Sequence, residues 1–297
     1  MTRFGYACIS DLLGVTTSRT CRLTSATPDR LRELIDINLT ALMTILEHNR
    51  AHGWGLFRIG SGVIPFGSHS INMLEWDAEF APQLAAIGTF ALRHDMRLSM
   101  HPGQYTIINS PNPDVRRAAV AELAYAARFL DALGLPPAHK LVLHVGGVYG
   151  DKPAALARFA EEANRLPDAV RRRLVVENDD RHYTLADVLA ISEQTGLPVV
   201  FDNLHDRLHP SPEPPEVLLP RVFATWGGQH GAPKVHFSSQ ATGQRPGKHA
   251  EFADPDEFRA VLDLCGRHGA FDLMLEAKAK DTALRAVLAA IESAAAT

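Results

Sequence analysis

Along the chain, short apolar runs alternate with longer stretches in which apolar residues recur at helical spacing. The runs are Arg3–Ile9, Trp54–Ile59, Arg97–Met100, Lys140–Val145, Leu174–Glu177, Pro198–Asp202, Lys234–Phe237 and Phe271–Leu275. Amphipathic segments lie between them, near residues 28–51, 76–94, 113–133, 152–165, 184–195, 214–226, 254–267 and 279–294. Thr27-Pro28, Ser110-Pro111, Thr184 and Asp254-Pro255 read as helix starts, and Gly53, Gly134, Gly196 and Gly269 as stops. Strand and helix alternating eight times is the pattern of a (β/α)₈ barrel. A doubly wound sheet would carry a glycine-rich phosphate loop after its first strand. Ser10-Asp11-Leu12-Leu13-Gly14 supplies none. The expectation is α/β: one TIM-barrel domain over residues 1–297, with no linker or internal repeat.

Catalytic groups of such barrels stand at the C-terminal ends of the strands and in the loops that follow. Here those ends deliver His101, His144, Glu177, Asp202, His236 and Glu276, and His69, His205 and His249 extend the set from loops. In LVLHV, KVHF and LMLE the polar residue interrupts an apolar run, where burying it alone would cost a few kcal/mol. Carboxylates crowded at one mouth need cations beside them. Nine imidazole and carboxylate groups exceed the four to six of a single ion. Two or three divalent metals are therefore implied, and Zn²⁺, Mn²⁺ and Fe²⁺ all suit this donor chemistry. The other histidines, including His48, His139 and His230, fall on helices, bottom-face loops or polar loops and are expected to be non-catalytic.

Composition narrows the picture little. The chain is 46% hydrophobic and 22% charged with formal net charge −4, so an anionic substrate must be attracted locally or by metal. The cysteines Cys8, Cys21 and Cys265 are scattered, which excludes a disulfide framework. No run of about 18 apolar residues and no leader sequence is evident, so a cytoplasmic, non-membrane protein is expected.

The segments FRIGSGVIPFGSH (57–69), LSMHPGQY (98–105), VLHVGG (142–147), VVENDD (175–180), VVFDNLHD (199–206), KVHFSSQ (234–240), GKHAEF (247–252) and LMLEAKAKD (273–281) resemble, in order, the UV damage endonuclease family. That family is related to endonuclease IV within the xylose-isomerase-like barrels. The resemblance implies a DNA repair enzyme that nicks immediately 5′ of a UV photoproduct, with abasic sites a further target, leaving a 3′-hydroxyl and a 5′-phosphate. It implies divalent metals, commonly Mn²⁺ with Zn²⁺ or Mg²⁺ as alternatives. Carried over, His101, His144 and Glu177 would hold one ion, and Glu177 would bridge to a second held by Asp202, His236 and Glu276. His205 and His249 would hold a third. Gly247-Lys248-His249 lacks the acidic residue that endonuclease IV has two positions before this histidine.

Several residues receive substrate or catalytic roles on this reading. Gln104 and Tyr105 would fill the gap opposite the lesion, and Tyr6, taken to face inward, would stack on it. His69, at the end of a loop containing Gly60, Gly62 and Gly67, would contact the phosphate or a water, while Glu177 and Glu276 would serve catalysis as well as the metals. Arg19, Arg22, Arg207 and Lys248 would grip phosphates. Lys234 faces the same way as His236. A free ammonium there would be repelled by metal, whereas carbamylation by CO₂ would make it an anion; density in a high-resolution map is the test. The expected partner is damaged double-stranded DNA, bound by a monomer whose mouth is unobstructed; in a bacterium the protein would associate with the nucleoid. The alternatives are a metal-dependent sugar isomerase or epimerase of the same superfamily, and a non-catalytic lesion sensor.

Overall fold

A computed structural model of the chain describes residues 2–295. Eight parallel strands close into a barrel in chain order: β1 Arg3–Ala7, β2 Leu56–Ile59, β3 Arg97–Met100, β4 Lys140–His144, β5 Leu174–Glu177, β6 Val199–Asp202, β7 Lys234–Phe237 and β8 Asp272–Leu275. Outside it run α1 Pro28–Ala51, α2 Ala81–Arg93, α3 Pro113–Ala132, α4 Lys152–Arg165, α5 Leu185–Thr195, α6 Pro215–Ala224, α7 Pro255–Gly266 and α8 Lys280–Ala295. The expected TIM barrel is therefore the observed fold.

Local chemistry sets most of the boundaries. Thr27 and Asp254 cap α1 and α7 by accepting backbone N–H groups, and Thr184 forms a capping box with Asp187 at α5. The cap of α3 is Asn112 rather than Ser110. Pro113 takes the first helical turn, and the Ser110 hydroxyl instead accepts the Asn112 N–H in a preceding turn. The predicted helix over 76–94 is broken at Phe80, because Pro82 fits only the first turn of α2. β1 stops at Ala7, where Cys8 adopts a left-handed φ of 71° and turns the chain into a small ribbon of Ile9–Ser10 against Val15–Thr16. The ribbon and the short helix Asn203–Leu208 have no signal in the hydrophobic period.

Strand alternation separates two apolar environments. Tyr6, Phe57, Leu98, Leu141, Val176, Phe201, Val235 and Leu273 join the large core between strands and helices. Ala7, Leu56 and Met274, and separately Val142, Val175, Val200 and Trp226, form small clusters of the opposite parity, which fill the barrel. This division corrects the expectation for Tyr6. Its ring is fully buried on the helix side, edge-on to Trp54 and Phe57, and its hydroxyl donates to Asn49 at 2.8 Å. Tyr6 faces outward because Gly5 and Ala7 take the inward positions; a Cβ on Gly5 would lie 1.7 Å from the Leu56 carbonyl oxygen. It is a core residue and cannot reach a lesion.

The barrel floor is polar. Arg97, 5% exposed, donates to Asp272 Oδ2 at 2.7 Å and to the carbonyls of Ala138, Ala232 and His230. All three guanidinium nitrogens are thereby satisfied, and the fully buried Asp272 also meets Arg3. Removing one partner of such a pair strands the other charge, at a cost of about 3–5 kcal/mol. Arg97→Met should lower unfolding stability by that order in urea titration, and Arg97→Met/Asp272→Leu should recover part of the loss. A single variant as stable as the parent would show that the pair does not hold the floor.

Candidate metal centre

Strand ends converge on the carboxylate of Glu177, which is 1% exposed. Its Oε2 lies 3.1 Å from His101 Nε2 and 3.5 Å from His144 Nε2, and its Oε1 lies 2.6 Å from His236 Nδ1. His236 Nδ1 is also 3.2 Å from Glu276 Oε1. Two close-packed donor groups result, His101–His144–Glu177 and Glu177–Asp202–His236, with Glu177 in both. Glu276 flanks the second, while His205 and His249 stand at the edge: the His205 ring centroid is 5.5 Å from that of His144, and His249 Nδ1 is 3.8 Å from Glu276 Oε2.

Backbone carbonyls fix which nitrogen each imidazole presents. His101 Nδ1 meets the Pro102 carbonyl at 3.2 Å, His205 Nδ1 that of Asn178 at 3.0 Å and His249 Nδ1 that of Glu276 at 2.7 Å. A carbonyl only accepts, so Nδ1 carries a hydrogen in all three, and Nε2 is the nitrogen whose lone pair a cation could take once it is deprotonated. Two asparagines missed by the sequence reading lock the strand ends. Asn178 exchanges hydrogen bonds with the Asp202 backbone at 2.9 and 3.1 Å, and Asn203 does the same with Ser238 at 2.9 and 3.2 Å. Each directly follows a candidate ligand, and that adjacency in VVEN and VFDN was the available signal. Arg58 was also missed. It points into the barrel from β2 and pairs with Glu276 Oε1, and its signal was a cation breaking the apolar run LFRI at the inward parity of Leu56.

The electrostatics follow from this packing. Burial drives the Glu177 carboxyl upward, but His236, His144 and His101 outweigh it and hold the group well below the usual carboxylate range. Glu276 is likewise driven up by burial but held down overall by Arg58 and His236. Asp202 is raised by burial, with Glu177 and Glu276 adding to the rise. Burial lowers His144 to about 4, leaving a neutral imidazole at neutral pH. His205 moves the other way: burial lowers it, but Asp202, Glu177 and Glu276 raise it further, to about 9. Lys234, 1% exposed and without a hydrogen-bond partner at Nζ, is pushed far below its ordinary value by burial and by Arg97. It lies one pleat below His236.

Divalent cations fit this cluster. Asp202 Oδ2 is buried with no hydrogen-bond partner, and the lone-pair nitrogens and carboxylate oxygens of each donor group lie within 4.8 Å of one another. Hard and borderline N/O donors without thiolate match Mn²⁺ or Zn²⁺ chemistry.

The remaining predicted residues are dispersed. Gln104 and Tyr105 project from the loop after β3, with Tyr105 82% exposed, three and four positions beyond His101. His69 is exposed, its Nδ1 accepting the Ile71 N–H at 3.0 Å, and is brought to neither donor group. The Arg19 side chain is exposed on a backbone anchored to Asn38. Arg207 is already paired with Glu257 at 2.5 Å, and Lys248 donates to Gln244 at 2.7 Å. Burial of His139 explains its bland role: its Nδ1 accepts the Leu98 N–H at the barrel floor.

A proton on His205 must leave before its Nε2 can bind metal. Its raised pKa therefore predicts that Mn²⁺ affinity rises with pH up to about 9, with proton release on binding. Calorimetry in buffers of different ionisation enthalpy checks this. His205→Gln should flatten the dependence; pH-independent affinity in the parent would contradict it.

The family model described as UV-endonuclease UvdE matches residues 2–295. The chain is 38% identical over 281 residues to the UV DNA damage endonuclease of Clostridium perfringens (strain 13 / Type A), covering 94% of this chain and 68% of the relative. It is 35% identical over 257 residues to that of Bacillus cereus (strain B4264), covering 86% and 81%. The crystal structure of SacUVDE superposes with a TM-score of 0.92 at 36% identity, covering 98% of this chain and 99% of the other. Endonuclease IV from Thermus thermophilus shares the fold, with a TM-score of 0.60 at 18% identity over 98% and 99% of the two chains. The chain belongs to the UV-endonuclease UvdE family.

Proposed function

We propose that the chain incises DNA immediately 5′ of UV photoproducts, pyrimidine dimers and 6-4 products among them, leaving a 3′-hydroxyl and a 5′-phosphate. The observation that carries this reading is the buried carboxylate of Glu177 shared by two donor groups, beside a loop that exposes 82% of Tyr105. His101, His144 and Glu177 would hold one divalent ion, and Glu177, Asp202, His236 and Glu276 a second. His205 and His249 would hold a third. Mn²⁺ is the first choice and Zn²⁺ or Mg²⁺ the alternatives. Bound ions supply an acidified water and withdraw charge from phosphate oxygens.

The chain's own groups do the rest. Asn178 and Asn203 fix the strand ends, and the carbonyls behind His101, His205 and His249 keep their Nε2 lone pairs directed at the centre. Arg58 holds Glu276 anionic. His69 would meet the phosphate or a water on substrate binding. A buried Nζ without a hydrogen-bond partner favours the neutral amine, the form that adds CO₂, which supports carbamylation of Lys234. Gln104 and Tyr105 would occupy the gap left by an unstacked step, a distortion that is cheapest where the duplex is already damaged.

A monomeric cytoplasmic enzyme acting on duplex DNA completes the reading. Among the described residues no helix is long and apolar enough to cross a membrane. The sugar-epimerase alternative draws on fold likeness alone: D-psicose 3-epimerase from Clostridium cellulolyticum H10 matches at 15% identity.

The test is nicking of a duplex with one defined photoproduct after EDTA treatment and metal re-addition. Mn²⁺ should restore a single 5′ nick, and Glu177→Gln should abolish it. Gln104→Ala/Tyr105→Ala should cut discrimination against undamaged duplex by about tenfold or more, given roughly 1–3 kcal/mol for an aromatic stacking contact, while leaving metal content intact. Damaged-DNA binding without nicking under any metal would point to the lesion-sensor alternative.

A further inference from the structure

The cations around the mouth are unevenly committed. On the loops after β4, β5 and β6 the basic side chains are already paired: Arg181 with Asp180 at 3.5 Å and Arg207 with Glu257 at 2.5 Å, with Lys152 at the start of α4 on Asp187 at 2.6 Å. That arc also carries Asp151, Asp179 and Glu213. On the loops after β7, β8 and β1, neighbours in the closed barrel, the exposed side chains of Arg245, Lys278, Arg19 and Arg22 have no ion-pair partner among the described residues. Lys280 is partly offset by Asp11, which lowers its availability. The basic arc carries exposed carboxylates too, Asp11, Glu251 and the helix cap Asp254, but its cations are unpaired and outnumber them, whereas the cations of the opposite arc are paired, although the whole chain carries −4.

The basic arc is also mounted on fixed backbone. Gly247 N–H donates to Gln240 Oε1 at 2.9 Å, and the Arg245 carbonyl accepts from Gln240 Nε2 at 3.0 Å. A Gln240–His249 bridge closes the β7 loop, and Lys278 N–H donates to the Ala250 carbonyl at 3.0 Å, tying it to the β8 loop. Arg19 is pinned through both backbone groups to the fully buried Asn38. Unpaired cations on ordered loops lose little backbone entropy when an anion arrives. In the eight-membered ring β3 lies four places from β7, so the loop carrying Gln104 and Tyr105 leaves the barrel opposite the loop carrying Arg245.

The structure assigns the arc of Arg245, Lys278, Arg19 and Arg22 as a phosphodiester-backbone clamp, facing the Tyr105 loop across the metal centre. This assignment rests on the endonuclease reading above and adds to it the side of the mouth that holds the phosphates. Of the four sequence candidates for gripping phosphates, Arg207 and Lys248 are engaged elsewhere, Arg19 and Arg22 stay unpaired, and Arg245 and Lys278 are added by the structure. The clamp reads charge and not sequence, so it acts equally on damaged and intact duplex.

The experiment measures duplex affinity against salt for the full chain, comparing the parent with Lys278→Gln/Arg245→Gln, Arg19→Gln/Arg22→Gln and the opposite-rim Arg181→Gln. Each phosphate contact contributes about 0.9 to the slope of log K against log salt. Each double variant should therefore lose close to 2 in slope magnitude, about 0.9 per residue. Affinity should fall to the same degree for damaged and undamaged duplex, and thermal stability should be unchanged. Arg181→Gln should keep the parental slope. Unchanged slopes in both double variants, or an equal loss in Arg181→Gln, would overturn the clamp while leaving photoproduct nicking to stand. A parent that neither nicks nor binds DNA would overturn both readings.

Discussion

The centre of this molecule depends on one buried carboxylate with imidazoles on both of its oxygens. Glu177 is 1% exposed, with His236 2.6 Å from one oxygen and His101 3.1 Å from the other. A charge in that position is tolerable only because neighbours on three other strands face it. Its location at the end of β5 sets the register those neighbours must keep: His144 pairs directly beside it on β4, and Asp202 stands opposite His236 one strand further on. The asparagines that follow Glu177 and Asp202 act on this register, each stitching its strand end to the backbone of the next.

The rest of the interior can be understood as charge management along the same axis. Arg97 and Asp272 close the floor, Arg58 faces Glu276 near the top, and Lys234 between them has no hydrogen-bond partner at Nζ and is pushed below its ordinary pKa by burial. At the rim the pattern changes from neutralisation to separation, with paired cations on one side and unpaired ones on the other. A chain of net negative charge can thus present a local basic arc beside a site suited to phosphate.

Much of this was legible in the sequence because barrel strands are short and their ends are chemically marked. His101, His144, Glu177, Asp202 and His236 each terminate or follow an apolar run, and all five converge. Tyr6 was misread because the inward parity of β1 belongs to Gly5 and Ala7, whose small side chains give no hydrophobic signal. The pairing of Arg207 was not legible because its partner Glu257 lies 50 residues away on another helix, which no local pattern reveals. Arg58 was missed because a single cation in a strand reads as exposed until the strand is known to be buried on both faces. The ribbon after β1 was missed because it follows from the left-handed turn at Cys8, a position where that conformation is uncommon for a non-glycine residue.

On the proposed function Glu177 would be shared between two cations. Anomalous diffraction from crystals of the chain soaked in Mn²⁺ tests it most directly. Two peaks should flank the Glu177 carboxylate, one beside His101 and His144 and one beside Asp202 and His236, with Glu177→Gln losing occupancy at both. A single peak, or ions that bypass Glu177, would contradict it.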